Sequence, residues 1–165
     1  MDFELTDEQR QLQDSVAKFV ADNYSFEQRR AVVATDAGYS EDNWTQMAEL
    51  GWLALSIPED NGGIGLGAVE TMILMEEFGK GLVAEPYLAT CVLGAGAIIN
   101  GGSDDLKNAI LPQVAEGSLK MALGFAERQS RYNLADVATT AEASGGGYKL
   151  NGMKGVVFGA PSAGK

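Results

Sequence analysis

Up to Gly117 the apolar residues recur at helical spacing, and beyond it they do not. Leu12, Val16, Phe19 and Val20 share one helix face, as do Leu106, Ile110 and Val114. After Gly117 comes LKMALGFA, an apolar run of β tendency, and then VATTAEA, which alternates. A repeat of 3.6 residues cannot lie flat in a sheet, so the chain divides into a helical part, residues 1–118, and a β part, residues 119–165.

In the first part, Thr6 followed by Gln9 is a capping-box pattern and opens a helix over 7–23. Ser40 caps a second, EDNWTQMAEL, which Gly51 ends. WLALSIPEDNGGIGLG reads as extended and then loop, broken by Pro58 and its glycines. AVETMILMEEFGK restarts a helix, with Val69, Met72, Ile73 and Leu74 expected inside. Pro86 opens YLATCVLGAGAIIN, whose small residues allow a neighbouring helix to approach closely. Ser103 caps the last helix, which Pro112 should kink or shorten. Five helices with short links make a bundle, and the fold class is mainly α, with a few strands following. Those strands are expected to include a hairpin, Tyr148–Leu150 with Lys154–Phe158, about Asn151-Gly152. Gly145–Gly147 mark another turn. A few strands alone leave open edges, so the chain is expected to self-associate or to hold residues 119–165 loosely.

The 165 residues contain no histidine and one cysteine, Cys91. A Ser-His-Asp triad, a His-ligated metal, a thiolate zinc site and an internal disulfide are all excluded within them. The lone thiol fits a reducing cytoplasm, and the acidic MDFELTDEQRQ does not resemble a secretory or transit peptide. No apolar run is long enough for a membrane span. A net charge of −11 argues against nucleic acid as a partner. That charge is uneven: residues 119–165 hold six basic side chains against three acidic ones, which suits an anionic ligand or an acidic partner as well as chance.

Gly63-Ile64-Gly65-Leu66-Gly67 ahead of a helix imitates a dinucleotide motif, but the next element is a helix rather than a parallel strand. A loop that needs positive φ explains these glycines better. Glu76 and Glu77 diverge by about 100° on their helix and read as a solvated or salt-bridged edge. Cys91 reads as packing. One stretch is harder to reduce to connection: LGFAERQSRYNLADVATTAEA sets two arginines, a tyrosine and an asparagine between two strands, as an anion-binding loop would.

Four segments in this order, LTDEQRQLQDSVAKFV, LGWLALSIPEDNGGIGLGAVETMILMEEFGKG, LPQVAEGSLKMALGFAE and ATTAEASGGGYKLNGMKGVVFGAPSA, resemble the acyl-CoA dehydrogenase flavoprotein family over essentially the whole chain. FEQRR, VETMILMEEFGKGLVAEPYLAT and ERQSRYNLADVATTA are similar to its small-subunit branch, that of the pimeloyl-CoA dehydrogenase small subunit. The resemblance implies an N-terminal helical domain over 1–118 and a truncated middle β domain over 119–165, the first strands of an incomplete β-barrel. It implies FAD as cofactor, acyl-CoA as substrate, a large-subunit partner with homo-oligomerisation, and a cytoplasmic oxidoreductase of fatty-acid degradation. Family members oxidise acyl-CoA to the trans-2-enoyl thioester, a carboxylate removing the α-proton as hydride passes to flavin N5.

Matched position by position, the resemblance assigns flavin contacts to Phe125, Ala126, Val156, Val157 and Phe158. Ala126 stands where the family has threonine, so one hydroxyl donor is lost. Tyr87, Leu88, Thr90 and Cys91 fall on the helix lining the acyl pocket; the plain alternative for these four is core packing. Arg131, Tyr132 and Asn133 fall near the phosphopantetheine. No residue here matches the family's catalytic carboxylate, so the 165 residues by themselves are expected to be inactive. Two alternatives stand beside this reading: a non-catalytic assembly or acyl-pocket subunit that binds no FAD by itself, and another flavoenzyme on the same fold.

Overall fold

A computed structural model describes residues 4–165. Among the described residues six α-helices lie in the first part: α1 (Asp7–Asn23), α2 (Phe26–Val33), α3 (Glu41–Glu49), α4 (Ala68–Gly81), α5 (Ala95–Gly101) and α6 (Asp104–Ala115). The start of α1 is locked as its sequence dictates. The Gln9 amide donates to Thr6 Oγ1 at 3.2 Å, and the Thr6 amide donates to Gln9 Oε1 at 3.0 Å. Helix α2 was not expected. Ser25 and Gln28 form the same reciprocal box, but no residue of α2 is buried, so it carries no apolar stripe to betray it.

The core gathers around α1 and α4, which pack side by side. Gly81 makes the close approach possible: a Cβ there would sit 2.4 Å from Val20 Cγ1. Cross-helix bonds from Gln9 Nε2 to Glu70 (2.7 Å) and Gln13 Nε2 to Glu77 (3.2 Å) fix the register. A run of rings crosses the interior, Phe19 edge-on to Trp52 at 5.1 Å and Phe78 edge-on to Tyr87 at 5.3 Å. On α4 the buried residues are Ile73, Leu74, Glu77 and Phe78. Val69 and Met72, expected inside, are 43% and 52% exposed, because the helix turns its Phe78 face and not its Met72 face to α1. Glu77 is buried yet satisfied, since Lys80 Nζ lies 2.6 Å away and also reaches Glu76 at 3.2 Å.

Trp52–Ala54 is a short 3₁₀ turn where extended chain was expected, and Glu59–Asn61 is a second one within the expected loop. Turned backbone lets Trp52, Leu53, Ala54 and Leu55 all be buried, which a strand with one face to solvent could not do. Of the glycines in Gly63-Ile64-Gly65-Leu66-Gly67 only Gly65 has positive φ (71°), with Gly62 just ahead of them at 82°; Gly63 is demanded instead by close approach, since a Cβ there would lie 1.9 Å from the Ile57 carbonyl oxygen. Pro112 does not stop α6, which runs on to Ala115; only the last turn follows the proline, and the Glu116 amide still bonds the Pro112 carbonyl at 3.0 Å.

The β part contains one ladder among the described residues, β1 (Thr140–Ser144) antiparallel to β2 (Gly147–Asn151), with every residue exposed. The expected hairpin about Asn151-Gly152 is therefore corrected. The tight turn is Gly145-Gly146, where both φ values are positive (58° and 83°), as the favoured two-residue turn demands. Gly152 is instead pressed on Thr139, where a Cβ would lie 2.3 Å from Oγ1, and Lys154–Phe158 forms no ladder. The run LKMALGFA is not a regular strand either. Isolated bonds tie it to the end of the chain: Gly155 N to Ala126 O, Ala122 N to Lys165 O and Gly164 N to Lys120 O, at 2.8 to 3.0 Å.

Candidate functional site

The sequence AEPYLATCVLG builds the wall of a cleft. Pro86 sets the direction of entry, and the helix begins π-wound over Leu88–Gly94 before becoming α5. The wide winding shows in the Ala95 amide, which donates to the Thr90 carbonyl five residues back. The opposite wall comes from the far end of the chain. Gly159 turns there with φ 73°, starting a 3₁₀ turn over Ala160–Ser162. Only glycine fits, because a Cβ at 159 would lie 2.7 Å from that of Ala89. Between the walls is a cleft of about 280 Å³. Glu85, Pro86, Leu88 and Ala89 line one side, Phe158, Gly159, Pro161 and Ser162 the other, with Ala37 and Tyr39 from the loop before α3. Two residues drawn from different predicted sites, Leu88 and Phe158, thus meet in one cavity.

The remaining predicted residues are distributed differently. Tyr87 is buried, its hydroxyl donating to the Trp52 carbonyl at 3.1 Å, and burial pushes its phenol pKa up. It borders a separate cleft on the α4 side with Met75, Phe78 and Leu82. Thr90 is fully buried and bonded to Met121. Cys91 lines a third cleft, of about 340 Å³, with Leu66, Thr71 and Ile99, and burial pushes its thiol pKa up as well. Phe125 and Ala126 are half-buried, and the Ala126 carbonyl is taken by Gly155. Val156 and Phe158 are 75% and 52% exposed, two apart in the chain, with the half-buried Val157 between them.

Arg131, Tyr132 and Asn133 lie on an exposed loop, away from the cleft, with Arg131 in the left-handed region at φ 48°. One residue that sequence reasoning missed holds this loop. The Glu127 side chain is only 3% exposed. It accepts from the Ala138 amide at 2.7 Å, Thr139 Oγ1 at 2.6 Å, Gln129 Nε2 at 2.6 Å and Lys154 Nζ at 2.6 Å. These donors, Lys154 first, hold its carboxyl well below the ordinary range. A carboxylate at the loop's start and a lysine after the hairpin were the available signal. Glu85 was missed too, and it is the buried acid of the cleft.

Residues 6–118 match the family model described as acyl-CoA dehydrogenase, N-terminal domain. The mitochondrial isovaleryl-CoA dehydrogenase of Bos taurus is 30% identical over 161 residues, 96% of this chain and 38% of that protein. Among solved structures, the ChsE4-ChsE5 complex from Mycobacterium tuberculosis has a TM-score of 0.77 at 31% identity, covering 93% of this chain and 39% of that one. The FAD complex of PigA has a TM-score of 0.82 at 26% identity, covering 99% and 43%. The chain thus spans about two-fifths of the length of each. With the match of residues 6–118 and the likeness in fold, this chain belongs to the acyl-CoA dehydrogenase family.

Proposed function

We propose that this chain supplies the N-terminal part of an FAD-dependent acyl-CoA dehydrogenase, as the small subunit of a cytoplasmic heteromer that forms trans-2-enoyl-CoA. Residues 1–118 are its helical domain and 119–165 the start of its middle β domain. The observation that carries this reading is the cleft shared by Leu88 and Phe158, which the resemblance assigns to substrate and to flavin respectively.

Each wall has its own task. Leu88, Ala89 and Pro86 offer an apolar surface to an acyl tail, and burial of each methylene there is worth about 0.8 kcal/mol. Val156 and Phe158 present uncovered apolar side chains that suit a broad flat ring, and the amides of Phe125 and Ala126 suit its hydrogen-bonding edge. When bound, FAD would accept the hydride. The chain's own residues hold the tail and exclude water from it, while the α-proton falls to a carboxylate outside these residues. Arg131, Tyr132 and Asn133, on their exposed loop, are assigned to the phosphopantetheine end.

Ala126 favours a second reading, a subunit that shapes the acyl pocket but binds no FAD, because no side-chain hydroxyl is offered there. The native protein containing these residues, expressed with its partner subunit, separates the two. The first reading expects a yellow complex that reduces an artificial electron acceptor when given an acyl-CoA. A colourless complex, inactive with a broad panel of thioesters, overturns it.

A further inference from the structure

Glu127 lies where three segments meet. Its Oε1 accepts from the Thr139 amide at 3.2 Å, Thr139 Oγ1 at 2.6 Å and Lys154 Nζ at 2.6 Å. Its Oε2 accepts from Gln129 Nε2 at 2.6 Å and the Ala138 amide at 2.7 Å. One carboxylate thus clasps both ends of the loop 128–137, and Lys154 joins that clasp to the segment 154–158. The lysine has its own anchorage. Its stem lies against Gly124, where a Cβ would be 3.3 Å from Lys154 Cγ, and the adjoining Gly155 amide bonds the Ala126 carbonyl at 2.8 Å.

No other polar contact fastens the loop. Among the described residues, every hydrogen bond made by 128–137 stays within 127–137, as from the Asn133 amide to the Ser130 carbonyl at 2.7 Å. No salt bridge includes Arg128 or Arg131 among them. Both arginines and Tyr132 are exposed, so the loop offers two guanidinium groups to an anion from a position that Glu127 sets.

We infer that Glu127 is a positioning residue: through Lys154 it holds the two-arginine loop in register with the flavin-facing segment, so that the phosphate-bearing end of a thioester and its reacting acyl end are placed together. The inference rests on the acyl-CoA reading above and adds a residue that acts through others. Fixing both ends of one molecule turns binding into orientation. A glutamine at 127 has the same shape, but whichever way its amide lies, its NH₂ group faces at least two of these donors.

The test uses acceptor reduction by the native assembly with pairs of thioesters: saturated acyl-CoAs and the N-acetylcysteamine esters of the same acids, which carry no phosphate. Glu127→Gln is expected to raise KM at least about tenfold more for the acyl-CoA than for its short partner, with kcat changed less than KM. Lys154→Met should do the same, and the double variant should be no worse than the worse single one, because both break one link. An equal loss with both thioesters, or no loss with either, overturns the inference and leaves the acyl-CoA reading intact. If the variants fail to fold, the wild type decides: acyl-CoA should slow hydrogen exchange at the Ala138 and Thr139 amides, and the short thioester should not. Exchange that is the same with both overturns the inference too. A wild-type assembly inactive with every acyl-CoA overturns the acyl-CoA reading, and the inference falls with it.

Discussion

Thr90 and Met121 are joined by a reciprocal pair of hydrogen bonds: the Met121 amide donates to Thr90 Oγ1 at 3.1 Å, and that hydroxyl donates to the Met121 carbonyl at 3.3 Å. A fully buried threonine on the π-wound segment thereby replaces the neighbouring strand that residues 119–126 lack on that side. Together with the Trp44 indole, which donates to the Gly117 carbonyl at 2.8 Å, it pins the chain where helix gives way to extended backbone.

Thr90→Val should therefore be costly although it keeps the shape. Two buried backbone groups of Met121 lose their partner, a loss of about 1–3 kcal/mol. Thr90→Ser keeps the hydroxyl and should lose less. Urea denaturation midpoints for the three proteins check the order.

Acid should loosen the loop that Glu127 closes. Its pKa is depressed in the folded chain, so its stabilising contribution is present above its ordinary value of 4.5 and is lost as pH falls through the folded value. Protection of the Ala138 and Thr139 amides from hydrogen exchange, relative to unfolded-chain rates at the same pH, should fall as the pH is lowered through the folded value. Glu127→Gln should show fast exchange at neutral pH. Protection at these amides that is the same in acid and in the variant would assign the loop's order to other contacts.

Among the loop glycines, Gly63 should tolerate change least. A Cβ there would lie 1.9 Å from the Ile57 carbonyl oxygen, a backbone atom with nowhere to move. Gly63→Ala should unfold the loop or cost several kcal/mol, whereas Gly65→Ala pays only for its positive φ, about 1 kcal/mol. Gly79→Ala, with nothing within 4 Å and inside α4, should stabilise by about 0.5–1 kcal/mol. Thermal midpoints rank the three.

What could be read in advance follows from how local each signal is. The caps at Thr6, Ser40 and Ser103 are short-range patterns, and all three start helices as expected. Helix α2 has the same kind of cap at Ser25 but no buried face, so a search for apolar periodicity passes over it. The hairpin was misplaced because Asn-Gly and Gly-Gly both supply a tight turn, and pairing across Gly145-Gly146 won. The cleft lay beyond local pattern altogether. It forms because residues 158–162 return to Pro86–Ala89, a contact that leaves no periodic trace in either segment.

Leu88 offers the most direct check on where the acyl tail lies. It is 42% exposed, so Leu88→Trp can fill the cleft without disturbing the core. The measurement is the acyl-CoA dependence of acceptor reduction by the native assembly, wild type against Leu88→Trp. The expected result is a KM at least about tenfold higher, equivalent to ~1.4 kcal/mol of lost binding, with the flavin spectrum unchanged. An unaltered KM across acyl lengths would contradict the assignment of this cleft to the substrate.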